Sequence, residues 1–299
     1  MRCGAGGTEM TVRVVTDSTA DLPTQVAEEL GIVVVPLHIH FGEETFQDGV
    51  TISTEGFYNL LTTGAILPKT SAPSSGMFIE TYERLAQETD EIISIHISTK
   101  LSATYASALV ARDGVEAPCR IEMVDSLSAS IGLGLLVVQA AKMARGGATL
   151  DDIVRATEAA VPRTQLFGVV DTLEYLHKGG RIGRAATFLG SMLNVKPIIG
   201  VREGIVHPIE RVRGRDRALD RICERVAGFT SITSLAVAHT TTEAEMEQFA
   251  SRLSQFFPID EILRTRCGAT LGTYLGPGTL VVALIEEESP GGQIETPAH

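Results

Sequence analysis

Two α/β units in tandem are what the sequence predicts: an N-terminal one with a largely parallel sheet flanked by helices, then a C-terminal α+β one with a mixed sheet. Three observations carry this expectation. Short β-branched runs alternate with segments of helical periodicity in the first half, which is the pattern of βαβ crossovers. Beyond Pro162, hairpin signals such as Glu203-Gly204 replace the crossovers. The chain has 299 residues, 44% hydrophobic and 21% charged, enough for one large or two ordinary cores. The expected divisions are a mobile extension over 1–10, an α/β domain over 11–161, an α+β domain over 162–286 and a mobile tail over 287–299.

Each element has its own sequence reason. Val12 to Thr16 is a β-branched strand that stops at Thr16-Asp17-Ser18-Thr19. Pro23 then stands where a helix can start and Gly31 where it would end. Ile32 to Phe41 reads as one further strand, Ile92 to Ile97 and Arg120 to Val124 as two more, and Phe78, Tyr82 and Leu85 recur at helical spacing between them. Gly132 to Arg145 is apolar all round, so a nearly buried helix is expected, with Gly146-Gly147 offering a left-handed stop. Thr149 to Ala160 is more amphipathic. After it come strands at Gln165 to Val170, Lys196 to Val201 and Ile205 to Val212, with a short helix ending at Gly179-Gly180. Helices over Asp216 to Ala227 and Glu243 to Phe256, with strands at Ser234 to His239, Ile259 to Arg266 and Thr279 to Ile285, complete the second unit.

Composition narrows the function classes. Lys plus Arg is 25 against 37 Asp plus Glu, a net charge of -12, which argues against a nucleic-acid partner held by phosphate neutralisation. The four cysteines (Cys3, Cys119, Cys223, Cys267) form no C-x-x-C pair and have no histidine at ligand spacing, so neither zinc nor a disulfide framework is indicated and a reducing cytoplasm is expected. The longest apolar run, Gly132 to Ala141, is shorter than the roughly 18 residues of a membrane span, and the first ten residues do not read as a signal peptide. No stable membrane insertion is expected. Gly132-x-Gly134 lacks a third glycine and no Walker motif occurs, so no nucleotide or other cofactor is called for.

In an open parallel sheet the ligand lies beyond the carboxyl ends of the strands, and there the residues are hydroxyls: Ser18 and Thr19, then Ser98, Thr99, Ser102 and Thr104, then Ser126, Ser128 and Ser130. A further pair, Thr70-Ser71, sits in a loop between Pro68 and Pro73. Each taken alone could simply cap a helix or close a turn. Together they suit a carboxylate or phosphate held by hydrogen bonds, with few acids or bases for proton transfer. Asp17 could be a nucleophile or magnesium ligand, but no second acid is spaced to join it, and fixing the turn is the simpler role. The histidines are scattered and assemble no catalytic triad. Basic residues cluster at Lys178, Arg181 and Arg184 and at Arg211, Arg213, Arg215 and Arg217, either solvated surface or a docking face for an acidic or phosphorylated partner.

VTDSTADLP (Val15 to Pro23), TSAPS (Thr70 to Ser74), ISTKLSATYASA (Ile97 to Ala108), VDSLSASIGLG (Val124 to Gly134), DTLEYLHKGGRIG (Asp171 to Gly183), LNVKPIIGVREGIVHPIERVRG (Leu193 to Gly214) and LGPG (Leu275 to Gly278) together resemble the DegV family of bacterial fatty-acid-binding proteins. The motifs follow family order from Val12 to about Ile285. The resemblance implies a carrier that is not itself an enzyme. It would enclose one long-chain fatty acid, tail in an apolar tunnel, and present the carboxylate to a separate kinase subunit that makes acyl phosphate for phospholipid synthesis. It further implies carboxylate binding by Thr70 and its neighbour Ser71 and by Ser102, where Ala103 replaces the family's usual glycine. Ser98, Thr99, Thr104, Asp17 and Ser18 would support those loops, and Arg213, Arg181 and Lys178 would serve docking. Tyr274 stands where the family usually has a histidine, and a phenol donates a hydrogen bond but does not become a cation near neutral pH. The reading set against this is a stand-alone phosphotransferase or hydrolase using Asp17; a weaker one is a regulatory scaffold with a structural ligand.

Overall fold

Val12–Asp17 (β1), a β-branched strand, opens the chain's first βαβ unit, followed by helix α1 (Thr24–Leu30) and strand β2 (Ile32–Val35). The computed structural model describes residues 12–64, 66–190 and 194–287, and the two expected mobile ends otherwise lie outside them. Pro23 precedes α1 and Gly31 ends it at φ 66°, as the sequence suggests. Ile32 to Phe41 is not one strand. Pro36 has no N–H for the ladder, and the chain leaves the parallel sheet there to form β3 (His38–Phe41), β4 (Glu44–Gln47) and, after helix α2 (Thr54–Thr63), β5 (Lys69–Ser71). These make a separate antiparallel sheet in the order β4-β3-β5. Thr70 and Ser71, expected in a loop, are therefore strand residues opposite Ile39 and His38.

Helix α3 (Ser75–Leu85), strand β6 (Glu91–His96), helix α4 (Thr104–Gly114) and strand β7 (Arg120–Asp125) complete the parallel sheet, ordered β2-β1-β6-β7. Phe78, Tyr82 and Leu85 bury one stripe of α3 against Val15 and Ile92. Helix α5 (Ser130–Arg145) carries the all-round apolar pattern, and its neighbours explain it. Leu133, Val137 and Ala140 pack with Val14 and Ile93 of the parallel sheet, while Ile131, Leu135 and Leu136 pack with Val281 and Ala283 of the second sheet. Helix α6 (Leu150–Ala160), capped by the Thr149 hydroxyl on the Asp152 N–H, ends the first half.

The second half contains β8 (Thr164–Val169), α7 (Glu174–Lys178), β9 (Val195–Arg202), β10 (Ile205–Arg213), α8 (Arg215–Ala227), β11 (Ile232–His239), α9 (Glu243–Leu253), β12 (Leu263–Arg266), α10 (Ala269–Leu275) and β13 (Leu280–Glu286). Its six strands order β10-β9-β8-β13-β11-β12, with only β11 and β12 parallel, so the sheet is mixed. The expected strand at Ile259 to Arg266 is a short 3-10 turn followed by β12, and α9 ends at Leu253 rather than Phe256. Helix α10 was not anticipated. It leaves the second sheet and places Ala269 in the small core of Ile39, Phe57 and Tyr58 beside β3 and α2.

Candidate functional site

A cavity lies where the ends of β1 and β6, the start of α5, the face of β8 and β9, strand β5 and helix α10 converge. Its space not filled by atoms amounts to ≈ 990 Å³, the open solvent at its mouth included. Apolar side chains dominate the wall: Ile97 and Ala129 from the first half, Leu166, Ile199 and Val201 from the second, and Leu271 from α10. Gly168 contributes width. Leu166 and Gly168 alternate with Phe167 and Val169 along β8, whose side chains enter the opposite core, so the side-chain period of two points the glycine at the cavity.

Hydroxyls interrupt this apolar wall. Thr70, Ser71, Ser102 and Tyr274, the four residues expected to receive a carboxylate, all line this cavity. Thr70 Oγ1 and Tyr274 Oη are 2.5 Å apart although 204 residues separate them. Ser102 Oγ is 2.8 Å from Thr104 Oγ1 and accepts from the Thr104 N–H, so it also begins α4. Ser71 is less free, because its hydroxyl is 2.9 Å from His40 Nε2. Sequence reasoning missed Thr270. It lies one helical turn before Tyr274, is buried, lines the cavity, and its Oγ1 has no hydrogen-bond partner among the described residues. The i, i+4 spacing puts both on one helix face; the signal was present, but it required knowing that residues 269–275 are helical.

Arg181 also lines the cavity, with its guanidinium carbon 5.2 Å from the centre of the Tyr274 ring. Its Nη1 donates to Gly179 O at 2.8 Å and its Nε to Leu101 O at 3.3 Å, and no carboxylate pairs with it among the described residues. Arg181 and Lys178 line a second hollow, next to the first. Arg213 lines neither. It sits exposed at the end of β10.

Two buried carboxylates hold α10 in place. Asp48 accepts from the N–H groups of Ala269 and Thr270 at 3.0 Å each, and Asp21 accepts from Gly268 N–H at 2.8 Å and from Ser130 Oγ at 2.6 Å. Burial pushes the Asp21 carboxyl up to about 7, opposed by the bonds from Ser130 and Gly268 and assisted by the nearby Asp48 charge. Asp21 and Ser130 are both left-handed, at φ 49° and 51°, which costs energy for residues with a Cβ. Their mutual bond offsets that strain at the cavity wall, which Ser130 lines.

Asp17 has the turn-fixing role. One oxygen accepts from the Thr19 N–H at 3.0 Å and from the Thr19 hydroxyl, the other from the Ile97 N–H at 3.1 Å, with His96 Nδ1 at 2.9 Å. Since Thr19 and Ile97 line the cavity, Asp17 positions its wall without touching its interior. His96 is not isolated as expected: Ser94 Oγ, His96 and Asp17 form a Ser-His-Asp sequence of hydrogen bonds, with Tyr82 Oη 2.8 Å beyond Ser94. All three side chains are fully buried and Ser94 faces α3 instead of the cavity, so no substrate reaches them. Ser18 Oγ accepts from Leu37 N–H, Ser98 Oγ donates to Gly204 O, Thr99 Oγ1 donates to Asp125 and Thr104 bonds Ser102. These four shape loops and are absent from the lining. No cluster of metal-ligating side chains occurs among the described residues, and none of their helices is long and apolar enough to cross a membrane.

A family model described as the DegV family of uncharacterised proteins matches residues 11–287. A DegV domain-containing protein of Caldanaerobacter subterraneus subsp. tengcongensis is 36% identical over 270 residues, which is 89% of this chain and 95% of the relative. Protein DegV of Bacillus subtilis is 34% identical over 275 residues, 91% of this chain and 98% of its own. Among solved structures, a DegV family protein of Thermus thermophilus described by its fatty acid binding superposes with a TM-score of 0.84 at 32% identity, over 93% of this chain and 100% of that one. DegV of Bacillus subtilis, described as a fatty acid binding protein, gives 0.82 at 32% identity over the same shares, 93% and 100%. With the family model matched over residues 11–287 and relatives above 30% identity along nearly their whole length, the chain belongs to the DegV family.

Proposed function

We propose that this protein binds one long-chain fatty acid, tail in the apolar cavity and carboxylate at the hydroxyls of Thr70, Ser102 and Tyr274, and presents that carboxylate to a separate kinase subunit. The observation that carries the reading is a cavity with a mainly apolar wall whose lining also includes the hydroxyl-bearing residues Thr70, Ser102, Thr270 and Tyr274. Burying some 14 methylenes of a palmitoyl chain at about 0.8 kcal/mol each is on the order of 11 kcal/mol before the cost of immobilising the chain. Tail burial therefore dominates affinity. The hydroxyls, at about 1 kcal/mol each, set orientation and keep the carboxylate from being buried unpaired.

Arg181 answers the charge question that Tyr274 raises. Where a histidine would carry the positive charge, a guanidinium held over the phenol ring supplies it. The fatty acid descriptions of the Thermus and Bacillus relatives support the same reading. Phosphorylation itself is left to the partner, and the reading places the complex in the cytoplasm, upstream of phospholipid synthesis.

The direct test is to denature the protein purified from a bacterial host, extract it with solvent and identify lipid by mass spectrometry. A stoichiometric fatty acid is expected, and its absence, together with no binding of added palmitate, would refute the proposal. Thr70→Ala with Ser102→Ala is expected to lower palmitate affinity about tenfold or more while leaving the fold intact, since two hydrogen bonds at about 1 kcal/mol are lost and no core is emptied.

A further inference from the structure

Helix α10, which carries Thr270 and Tyr274, begins between two buried carboxylates. Asp48, just after β4, accepts from the first two N–H groups of the helix, and Asp21, between β1 and α1, accepts from the Gly268 N–H that precedes them. Three consecutive backbone donors are thus held by two acids. The acids lie close together, since a Cβ built on Gly268 would be 3.2 Å from an Asp48 oxygen and 3.4 Å from an Asp21 oxygen. The hydrogen-bond partners of Asp21 are Ser130, Gly268 and Cys267, and none is a cation. Of the other groups packed around it, Tyr58 of α2 and Cys267 after β12 stay neutral because burial pushes both upward, while Arg266, over the Tyr58 ring, supplies the nearby cation. Helix α5 brings the Ser130 hydroxyl. Two like-charged acids sharing one buried helix start favour keeping a proton.

We infer that Asp21 and Asp48 are positioning residues for the lipid head group, and that Asp21 takes up a proton when an anionic lipid enters the cavity. The inference rests on the fatty-acid reading and adds a linked proton to it. Tyr274, which meets the lipid carboxylate in that reading, stands four residues, or about 6 Å of helix, beyond Thr270, so the lipid brings a further negative charge toward the two acids. Like charge disfavours the ionised form of Asp21. The proton comes from solvent and forms an O–H bond at Asp21 Oδ2, and no bond of the lipid breaks. The clamp survives the change: Oδ1 still accepts from Gly268, while the new O–H donates to Ser130 Oγ and frees the Ser130 hydrogen on the cavity wall. Linkage is reciprocal, so the proton strengthens lipid binding by the factor by which the lipid strengthens proton binding. Burial already brings the Asp21 carboxyl to about 7 in the ligand-free protein. Affinity is therefore complete below about pH 7 and falls as pH rises through the higher value Asp21 has in the complex.

The test is the pH profile of palmitate affinity, measured by equilibrium dialysis of the full chain with labelled lipid from about pH 6 to 9. Affinity is expected to fall about tenfold across that range, matching a tenfold stronger hold on the proton in the complex. Hexadecanol fills the same cavity without a charge and is expected to show no such fall. Asp21→Asn offers one acceptor and one donor in place of the protonated acid and cannot titrate, so its palmitate profile is expected to be flat. Asp48→Asn turns an amide NH2 toward the N–H groups of α10 and withdraws a like charge; it is expected to weaken palmitate at every pH and to move the fall to lower pH. A flat profile for the unmodified protein or an equal fall for hexadecanol would overturn the inference. So would a fall that survives in Asp21→Asn, which would assign the proton to the lipid itself or to His40 beside Ser71. Should Asp21→Asn fail to fold, a profile that Asp48→Asn leaves in place overturns it equally. Absence of palmitate binding at every pH would instead overturn the fatty-acid reading beneath it.

Discussion

Tyr274 is the residue on which the head-group geometry turns, since it touches Thr70 through its hydroxyl and Arg181 through its ring. Tyr274→Phe removes only the hydroxyl. Palmitate affinity is expected to fall about tenfold, the worth of one hydrogen bond to a charged group, with the melting temperature almost unchanged; equal affinity would make Tyr274 a packing residue. Thr270 offers a complementary case because its buried hydroxyl has no partner among the described residues. Thr270→Val removes an unsatisfied group at nearly constant shape, so the ligand-free protein should gain stability, about 1 kcal/mol, while palmitate binding weakens. Titration calorimetry paired with thermal melts separates the two effects. The motif match pointed to Thr70, Ser102 and Tyr274 without any structure, whereas Thr270 and the stacking of Arg181 belong to no local pattern. They become visible only when α10 is placed against β5 and the segment after α7.

At the scale of elements, α10 and β8 make the most specific demands. Helix α10 enters from the second sheet but is held by Asp21 and Asp48 of the first half. Because burial raises the Asp21 carboxyl from its ordinary 3.8 to about 7, the folded protein binds more protons than the unfolded chain between those values. The Asp21 contribution to stability is thus complete below about pH 4 and is lost as pH rises through 7. Asp21→Asn should flatten that stretch of the stability profile measured by urea unfolding from pH 4 to 8; an unchanged slope would assign it to another group. On β8, a Cβ at Gly168 would meet its nearest neighbours at 3.7 Å or more, an ordinary contact, and its φ is not left-handed. Gly168→Val should therefore fold, put methyls into the cavity, and shift binding preference toward acids a few methylenes shorter, read by competition across a chain-length series. Unaltered selectivity would move the tail path away from β8.

For the whole molecule, the question is how an acidic protein would meet the kinase proposed for it. Arg213 is exposed, lines neither hollow, and has no carboxylate partner among the described residues. As part of a docking face it would act at long range, through charge. Arg213→Ala is expected to leave lipid binding as it is and to slow kinase-dependent phosphorylation severalfold, most clearly at low salt. A parental rate at every salt concentration would remove Arg213 from the face. The helix shared by both sheets has a further consequence. Since α5 packs against the parallel sheet on one side and the mixed sheet on the other, the two halves bury a common core and enclose the cavity between them.

The sequence by itself determined the alternation of strands and helices, the mixed second sheet, the burial of α5 on all sides and the hydroxyl-rich strand ends. Each of these is a local or periodic property, legible from side-chain spacing and turn residues. Only the tertiary structure decided that Pro36 diverts the chain into a third sheet carrying Thr70, that Asp17 and His96 are sealed inside, and that α10 returns to the first half with Thr270 and Tyr274 facing the cavity. Those outcomes depend on contacts between residues far apart in the chain, such as Thr70 with Tyr274 and Asp21 with Gly268. Their free energy comes from burial and pairing in three dimensions, and a seven-residue helix with Gly272 at its fourth position is too short for its spacing to announce it in the sequence.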